Sequence, residues 1–172
     1  GLMKAAFYDP NPVVMLEHKG LYWSKVKGTD SAKVIEPDED YIVPFGKGRI
    51  VLEANNERIA DGQSLLVVSY GMGVHWAINA AKDHEGRVGV LDLRTIFPLD
   101  EKLIEERSRL HGRVLLVTEE PKSNGFSLSI AGRISDTCFE FLDAPVRVIG
   151  SENLPAIPLN STLESTMVLS AE

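Results

Sequence analysis

The chain has 172 residues, 44% hydrophobic and 25% charged, with 18 basic against 25 acidic side chains and a formal net charge of −7. A chain of this size buries about 70% of its unfolded surface, so a single domain needs no disulfide or metal scaffold. The acidic balance opposes the basic footprint of phosphate-backbone binding, and no stretch approaches the roughly 20 apolar residues of a membrane span. Neither nucleic acid nor a membrane is expected as a partner, while a basic protein surface remains compatible.

The opening Gly1-Leu2-Met3-Lys4-Ala5-Ala6 reads as helix and lacks the sections of a secretory signal. A start in mid-helix without an initiator Met suggests a piece of something larger. Pro10 and Pro12 push their predecessors toward extended geometry and end the helix. Val13-Val14-Met15-Leu16 is then a predicted strand. From His18 to Asp40 the apolar periodicity disappears into Lys, Asp, Glu and Gly, a length of connector uncommon inside one compact domain. The expected division is residues 1–20 as the end of a preceding unit, 21–40 as connector and 41–172 as the main domain.

Tyr41-Ile42-Val43 and Arg49-Ile50-Val51-Leu52-Glu53 are short strand candidates that would pair as a sheet edge. Ser64 to Tyr70 is a continuous apolar strand of the kind covered on both faces. Gly71 and Gly73 turn it into a helix with Val74, Ala77, Ile78 and Ala81 on one stripe. Val88 to Leu93 is the next strand, followed by a helix after Asp100 carrying Leu103, Ile104 and Leu110. Arg113 to Thr118 is a third buried strand, the helix after Gly125 bears Ala131, Ile134, Cys138 and Phe141 or Leu142, and Val146 to Ile149 closes the series. The tail beyond Gly150 has little periodicity and is expected to pack across the surface. Alternation of strand and helix predicts an α/β fold: an open, mostly parallel sheet with helices on both faces.

Several positions could carry chemistry. Gly71-Met72-Gly73-Val74-His75-Trp76, with Asp92 about twenty residues on, approaches a dinucleotide-binding fingerprint, but Trp76 replaces its third glycine. A tight strand-to-helix turn explains the same glycines. The histidines His18, His75, His84 and His111 form no i, i+4 pair, and the lone Cys138 permits neither an internal disulfide nor a cysteine zinc cluster, so no metal site is expected and a reducing, cytoplasmic or other intracellular setting fits. His75, in the first turn of its helix, would favour the neutral imidazole. Glu119 and Glu120 follow a buried strand, yet adjacent side chains on extended backbone point apart and cannot share one substrate atom. Ser127 and Ser129 lack a nucleophile elbow and read as polar residues at a helix start. In Asp92-Leu93-Arg94-Thr95-Ile96-Phe97-Pro98-Leu99-Asp100, Asp92 and Arg94 could share one side and form charge-assisted bonds, Pro98 could stiffen the turn and Asp100 could cap the next helix.

That nonapeptide resembles the Asp-Leu-Arg-Thr-x-x-Pro-x-Asp signature of the transketolase C-terminal domain family, in the form found in beta subunits of thiamine-diphosphate-dependent 2-oxo acid dehydrogenases. Gly1 to Ala6 and Asn11 to Tyr22 resemble the end of the family's pyrimidine-binding domain, and Pro44-Phe45-Gly46-Lys47-Gly48 resembles the opening of its C-terminal domain. Ser69 to Ala77, Glu119-Glu120 and Leu142-Asp143-Ala144-Pro145-Val146 follow in the corresponding order. The resemblance implies a sheet with one antiparallel edge strand, and a further helix beyond Glu172. It makes Gly71, Gly73, Asp92, Arg94, Pro98 and Asp100 structural.

The parent activity it implies is that of an oxidoreductase: oxidative decarboxylation of pyruvate or a branched-chain 2-oxo acid and transfer of the acyl group to lipoyl. Thiamine diphosphate with magnesium would lie outside this chain, as would the activating glutamate and substrate-handling histidine, so no catalytic, cofactor-binding or metal residue is carried onto it. The piece alone is expected to be inactive and to serve assembly, within a homo-oligomer or an alpha-beta heterotetramer. Asp143 falls at an acidic position that could receive the basic subunit-binding domain of the lipoyl acyltransferase, with a solvated turn residue as the plain alternative. Other readings are a transketolase or deoxyxylulose-phosphate synthase relative, a nucleotide-binding module, or a protein-interaction module.

Overall fold

The structure is a computed structural model that describes residues 1–22, 26–155, 158–167 and 169. Its centre is a five-stranded sheet in the order β1-β3-β2-β4-β5, built from β1 (Arg49–Leu52), β2 (Leu65–Ser69), β3 (Val88–Asp92), β4 (Val114–Pro121) and β5 (Arg147–Ser151). The contacts β3–β2, β2–β4 and β4–β5 are parallel, and β1 runs antiparallel along β3 as an edge. The expected architecture is present, including the antiparallel edge strand.

Alternation of apolar side chains along each strand gives the sheet two covered faces. Leu66, Val68, Leu91 and Leu116 point to one face, where they meet Ile104 of α5 (Glu101–His111) and Ile130, Ala131 and Ile134 of α6 (Phe126–Thr137). Val67, Val88 and Val90 point to the other, beneath Val74, Ala77 and Ala81 of α4 (Met72–Ala81). In register, Val67 stands beside Val90 on one side and Leu115 on the other. Burying one such aliphatic side chain is worth about 1.5–3 kcal/mol, which is why these runs hold the centre of the sheet.

Two expected strands are absent. Val13–Leu16 forms no strand, and Val14 and Leu16 are 86% and 81% exposed, because among the described residues no neighbouring strand takes up their backbone hydrogen bonds. Tyr41–Val43 is also irregular and does not pair with β1, and only Val43 of this segment is buried. β4 runs to Pro121, beyond its expected end, because Pro121 stands in register with Ser151 and Lys122 N–H donates to the Ser151 carbonyl. Helix α1 (Leu2–Tyr8) buries no residue; α2 (Lys19–Tyr22) and a 3-10 turn (Asp30–Ala32) lie in or next to the expected connector, and α3 (Asn56–Ala60) was not foreseen. In the tail, Leu159 and Leu163 around α7 (Ser161–Glu164) stand exposed instead of packing down, since isolated apolar residues there make no stripe.

Candidate functional site

The polar residues gather at the carboxyl edge of the parallel strands. Neighbouring strands β2 and β4 send their crossovers in opposite directions, β2 through α4 to β3 and β4 through α6 to β5, which makes their junction the switch point of the sheet. Ser69 Oγ donates to the Val117 carbonyl at 2.7 Å across this junction, and the Tyr70 and Thr118 hydroxyls are 3.1 Å apart. Burial pushes the Tyr70 phenol up, with the Thr118 hydrogen bond acting in the other direction.

The two glycines of the β2–α4 turn act differently. Gly71 has φ 57° and ψ −131°, a conformation open only to glycine, with empty space around its missing side chain. Gly73 is confined instead: a Cβ there would collide with Ser69 Oγ and lie 2.9 Å from the Val117 carbonyl oxygen. Close approach of helix to sheet accounts for the second glycine without any dinucleotide.

Glu119 and Glu120 part as extended backbone requires. Glu120 Oε1 accepts the Ser127 backbone N–H at 2.7 Å, capping the start of α6. Burial raises its pKa, but the Ser127 and Phe126 N–H groups outweigh burial and hold the carboxylate below its usual range. Glu119 faces outward, and its Oε1 lies 3.1 Å from Nε2 of His18. The Leu21 backbone N–H donates to Nδ1 of the same ring, so the Nε2 hydrogen points at Glu119.

The nonapeptide after β3 ties three segments together. Asp92 Oδ1 accepts the Arg94 backbone N–H at 3.0 Å, while Arg94, at φ 58°, sends its guanidinium to the Tyr41 hydroxyl at 3.1 Å. A left-handed residue interrupts the extended alternation that would have aligned the two side chains. Burial raises the Asp92 pKa, against the pull of the Arg94 amide and guanidinium. Thr95 Oγ1 donates to the Pro98 carbonyl at 2.8 Å and accepts from Gly46 N–H at 3.0 Å, and the Phe97–Pro98 peptide is cis. Asp100 caps α5 by accepting from Leu103 N–H at 3.3 Å, and its other oxygen accepts from Gly48 N–H at 3.1 Å.

Asp143 lies at the opposite, amino edge of the sheet, apart from all of these. Its N–H donates to the Gly112 carbonyl at 2.7 Å, and its half-exposed carboxylate is 4.0 Å from Arg113 Nε. Sequence reasoning did not foresee three long-range polar pairs: His18 with Glu119, Ser31 Oγ with His75 Nδ1 at 2.6 Å, and Ser64 Oγ with His111 Nδ1 at 2.9 Å. No local spacing could signal pairs so far apart in the chain. Among the described residues, no three His, Cys, Asp or Glu side chains come together as a metal-holding group. No helix of the described residues is long and apolar enough to cross a membrane.

The family model described as "Transketolase, C-terminal domain" matches residues 54–172. The chain is 35% identical over 175 aligned positions to the 2-oxoisovalerate dehydrogenase subunit beta of Bacillus subtilis (strain 168), covering 100% of this chain and 49% of that one. It is 34% identical over 167 positions to the pyruvate dehydrogenase E1 component subunit beta of Rhizobium meliloti (strain 1021), covering 95% of this chain and 33% of that one. The chain thus spans about half, or less, of the length of these curated relatives. Among solved structures, a split-gene transketolase, described as an inactive beta4 tetramer, superposes with a TM-score of 0.57 at 22% identity, over 75% of this chain and 40% of that one. At that identity the likeness speaks for the fold alone.

Proposed function

The chain belongs to the transketolase C-terminal domain family, and on that premise we propose that it is the C-terminal assembly part of a 2-oxo acid dehydrogenase decarboxylating component. The observation that carries this reading is the identity of 35% to a 2-oxoisovalerate dehydrogenase beta subunit along the whole chain. The parent reaction would decarboxylate a 2-oxo acid and pass the acyl group to lipoyl. Residues 1–20 would be the end of the preceding pyrimidine-binding domain and residues 21–40 the link to the main domain.

In this reading thiamine diphosphate and its magnesium ion lie outside this chain, and two local features support that for the phosphate. The first N–H groups of α6, which could receive a phosphate, are taken by the Glu120 carboxylate, and Gly73 is pressed against Val117. The chain's own contribution, in this reading, is shape and contact.

Asp143 is the proposed contact for a basic subunit-binding domain of a lipoyl acyltransferase. Its carboxylate is half exposed and 4.0 Å from Arg113, which leaves a face open to an incoming cation. Calorimetry of the chain with such a basic domain tests this: Asp143→Lys should weaken binding at least tenfold, and unchanged affinity would remove Asp143 from the interface. Thiamine-dependent turnover of a 2-oxo acid by the 172-residue chain alone would overturn the assembly role.

A further inference from the structure

Along the outer side of α4, His75 and Asn79 stand one helical turn apart and face away from the aliphatic stripe that grips the sheet. Both are engaged by residues far upstream. Ser31 Oγ is 2.6 Å from His75 Nδ1, and Asn79 Nδ2 donates to the Gly28 carbonyl at 2.6 Å. Between them Thr29 is only 2% exposed, with its hydroxyl on the Val26 carbonyl at 2.6 Å. A second anchor lies on the other side of the switch point, where His18 meets Glu119 at the end of β4. Beyond the strap, Val34 and Ile35 are 75% and 95% exposed, so the hold does not continue into apolar packing.

We propose that residues 26–32 are a polar strap, closed over α4 by the Ser31–His75 and Asn79–Gly28 hydrogen bonds, which opens as a unit while the sheet stays folded. A strap held by hydrogen bonds and one buried threonine has little apolar burial to lose on opening, unlike the sheet, whose strands are sealed on both faces. Such segments open sub-globally, at a small fraction of the free energy of global unfolding. When shut, the strap holds one side of the switch-point junction and His18 the other, and its release frees the N-terminal segment from α4.

Amide hydrogen exchange on the 172-residue chain reads this directly. Ala32 N–H is bonded to the Thr29 carbonyl within the strap and Lys33 N–H, just past its end, to the Asp30 carbonyl of the strap, whereas Leu93 N–H is bonded to Ser69 in the sheet. In the unmodified chain, Ala32 and Lys33 should exchange much faster than Leu93 and with almost no dependence on sub-denaturing urea. Ser31→Ala and Asn79→Ala should each speed strap exchange roughly fivefold, the two together more, and leave Leu93 unchanged. Gly28→Ala gives an independent approach from the strap's own side, since its Cβ would lie 2.8 Å from Asn79 Nδ2 at a φ of +83°. Equal protection and equal urea slopes for Ala32 and Leu93 in the unmodified chain would overturn the proposal, as would strap exchange unaltered by all three substitutions.

Discussion

The imidazole of His111 is held against the Ser64 hydroxyl at 2.9 Å, while its Nε2 is buried without a hydrogen-bond partner among the described residues, facing the backbone of Gly89. His111 is the last residue of α5, where the helix dipole favours a cation by at most about 2 kcal/mol. Burial wins over the dipole: desolvation, with help from the Arg107 charge, lowers the His111 pKa to about 4.

Acid should therefore weaken the fold through this ring. The unfolded chain, with His111 near its ordinary value, takes up a proton that the folded one refuses, so stability falls as pH drops from about 6.5 toward 4. The lost stability is roughly 3 kcal/mol. His75, also lowered by burial, acts in the same direction, and Asp92, raised by burial, acts in the opposite one. Urea unfolding of the native chain and of His111→Gln at pH 7 and pH 4.5 separates these contributions. The variant should be less stable at pH 7 but lose less on acidification; identical pH slopes would exclude His111 as the main source.

The two turn glycines should fail for different reasons. Gly73→Ala drives a methyl group into the Ser69 hydroxyl and the Val117 carbonyl, costing about 1–3 kcal/mol as overpacking. Gly71→Ala meets no atom but must hold φ 57° with ψ −131°, costing a similar ~1–3 kcal/mol as backbone strain. Pairing each with Ser69→Ala in thermal unfolding should rescue part of the Gly73 loss and none of the Gly71 loss.

Asp100 serves two backbone donors from different segments. Asp100→Ala should cost about 2 kcal/mol, from the lost cap on Leu103 together with a stranded Gly48 N–H. Asp100→Asn keeps a capping oxygen and should cost less. Denaturant midpoints in the reverse order would mean that the cap is not the main role.

Glu120 is a partly buried anion at the start of α6, and Glu120→Gln should destabilise by about 0.5–2 kcal/mol, measured as a fall in the chemical unfolding midpoint at pH 7. The depressed pKa also makes the wild-type contribution fade as pH falls through the carboxylate range, so the two proteins should converge in acid.

Much of the fold was legible because burial on both faces of a parallel sheet demands continuous apolar runs, and Leu65–Ser69, Val88–Asp92 and Val114–Thr118 are such runs. The same signal misled at Val13–Leu16, where apolar residues stand exposed with no strand of the described residues beside them. At the candidate site, the capping position of Asp100 and the divergence of Glu119 from Glu120 could be read from local geometry. The destination of the Arg94 guanidinium could not, because it depends on a left-handed backbone at Arg94 and on Tyr41 being brought close.

The sequence by itself determined the alternating architecture, the ordered motifs of the transketolase C-terminal domain family and the absence of any cysteine partner for Cys138. Those are properties of periodicity and residue type, carried by segments of a few residues. Only the tertiary structure decided that Glu119 meets His18, that Ser31 and Gly28 dock on α4, and that His111 is sealed against Ser64. Each such pair joins residues between 44 and 101 positions apart, and nothing local in the chain specifies a hydrogen bond across that distance until the hydrophobic layers have set the positions of its two ends.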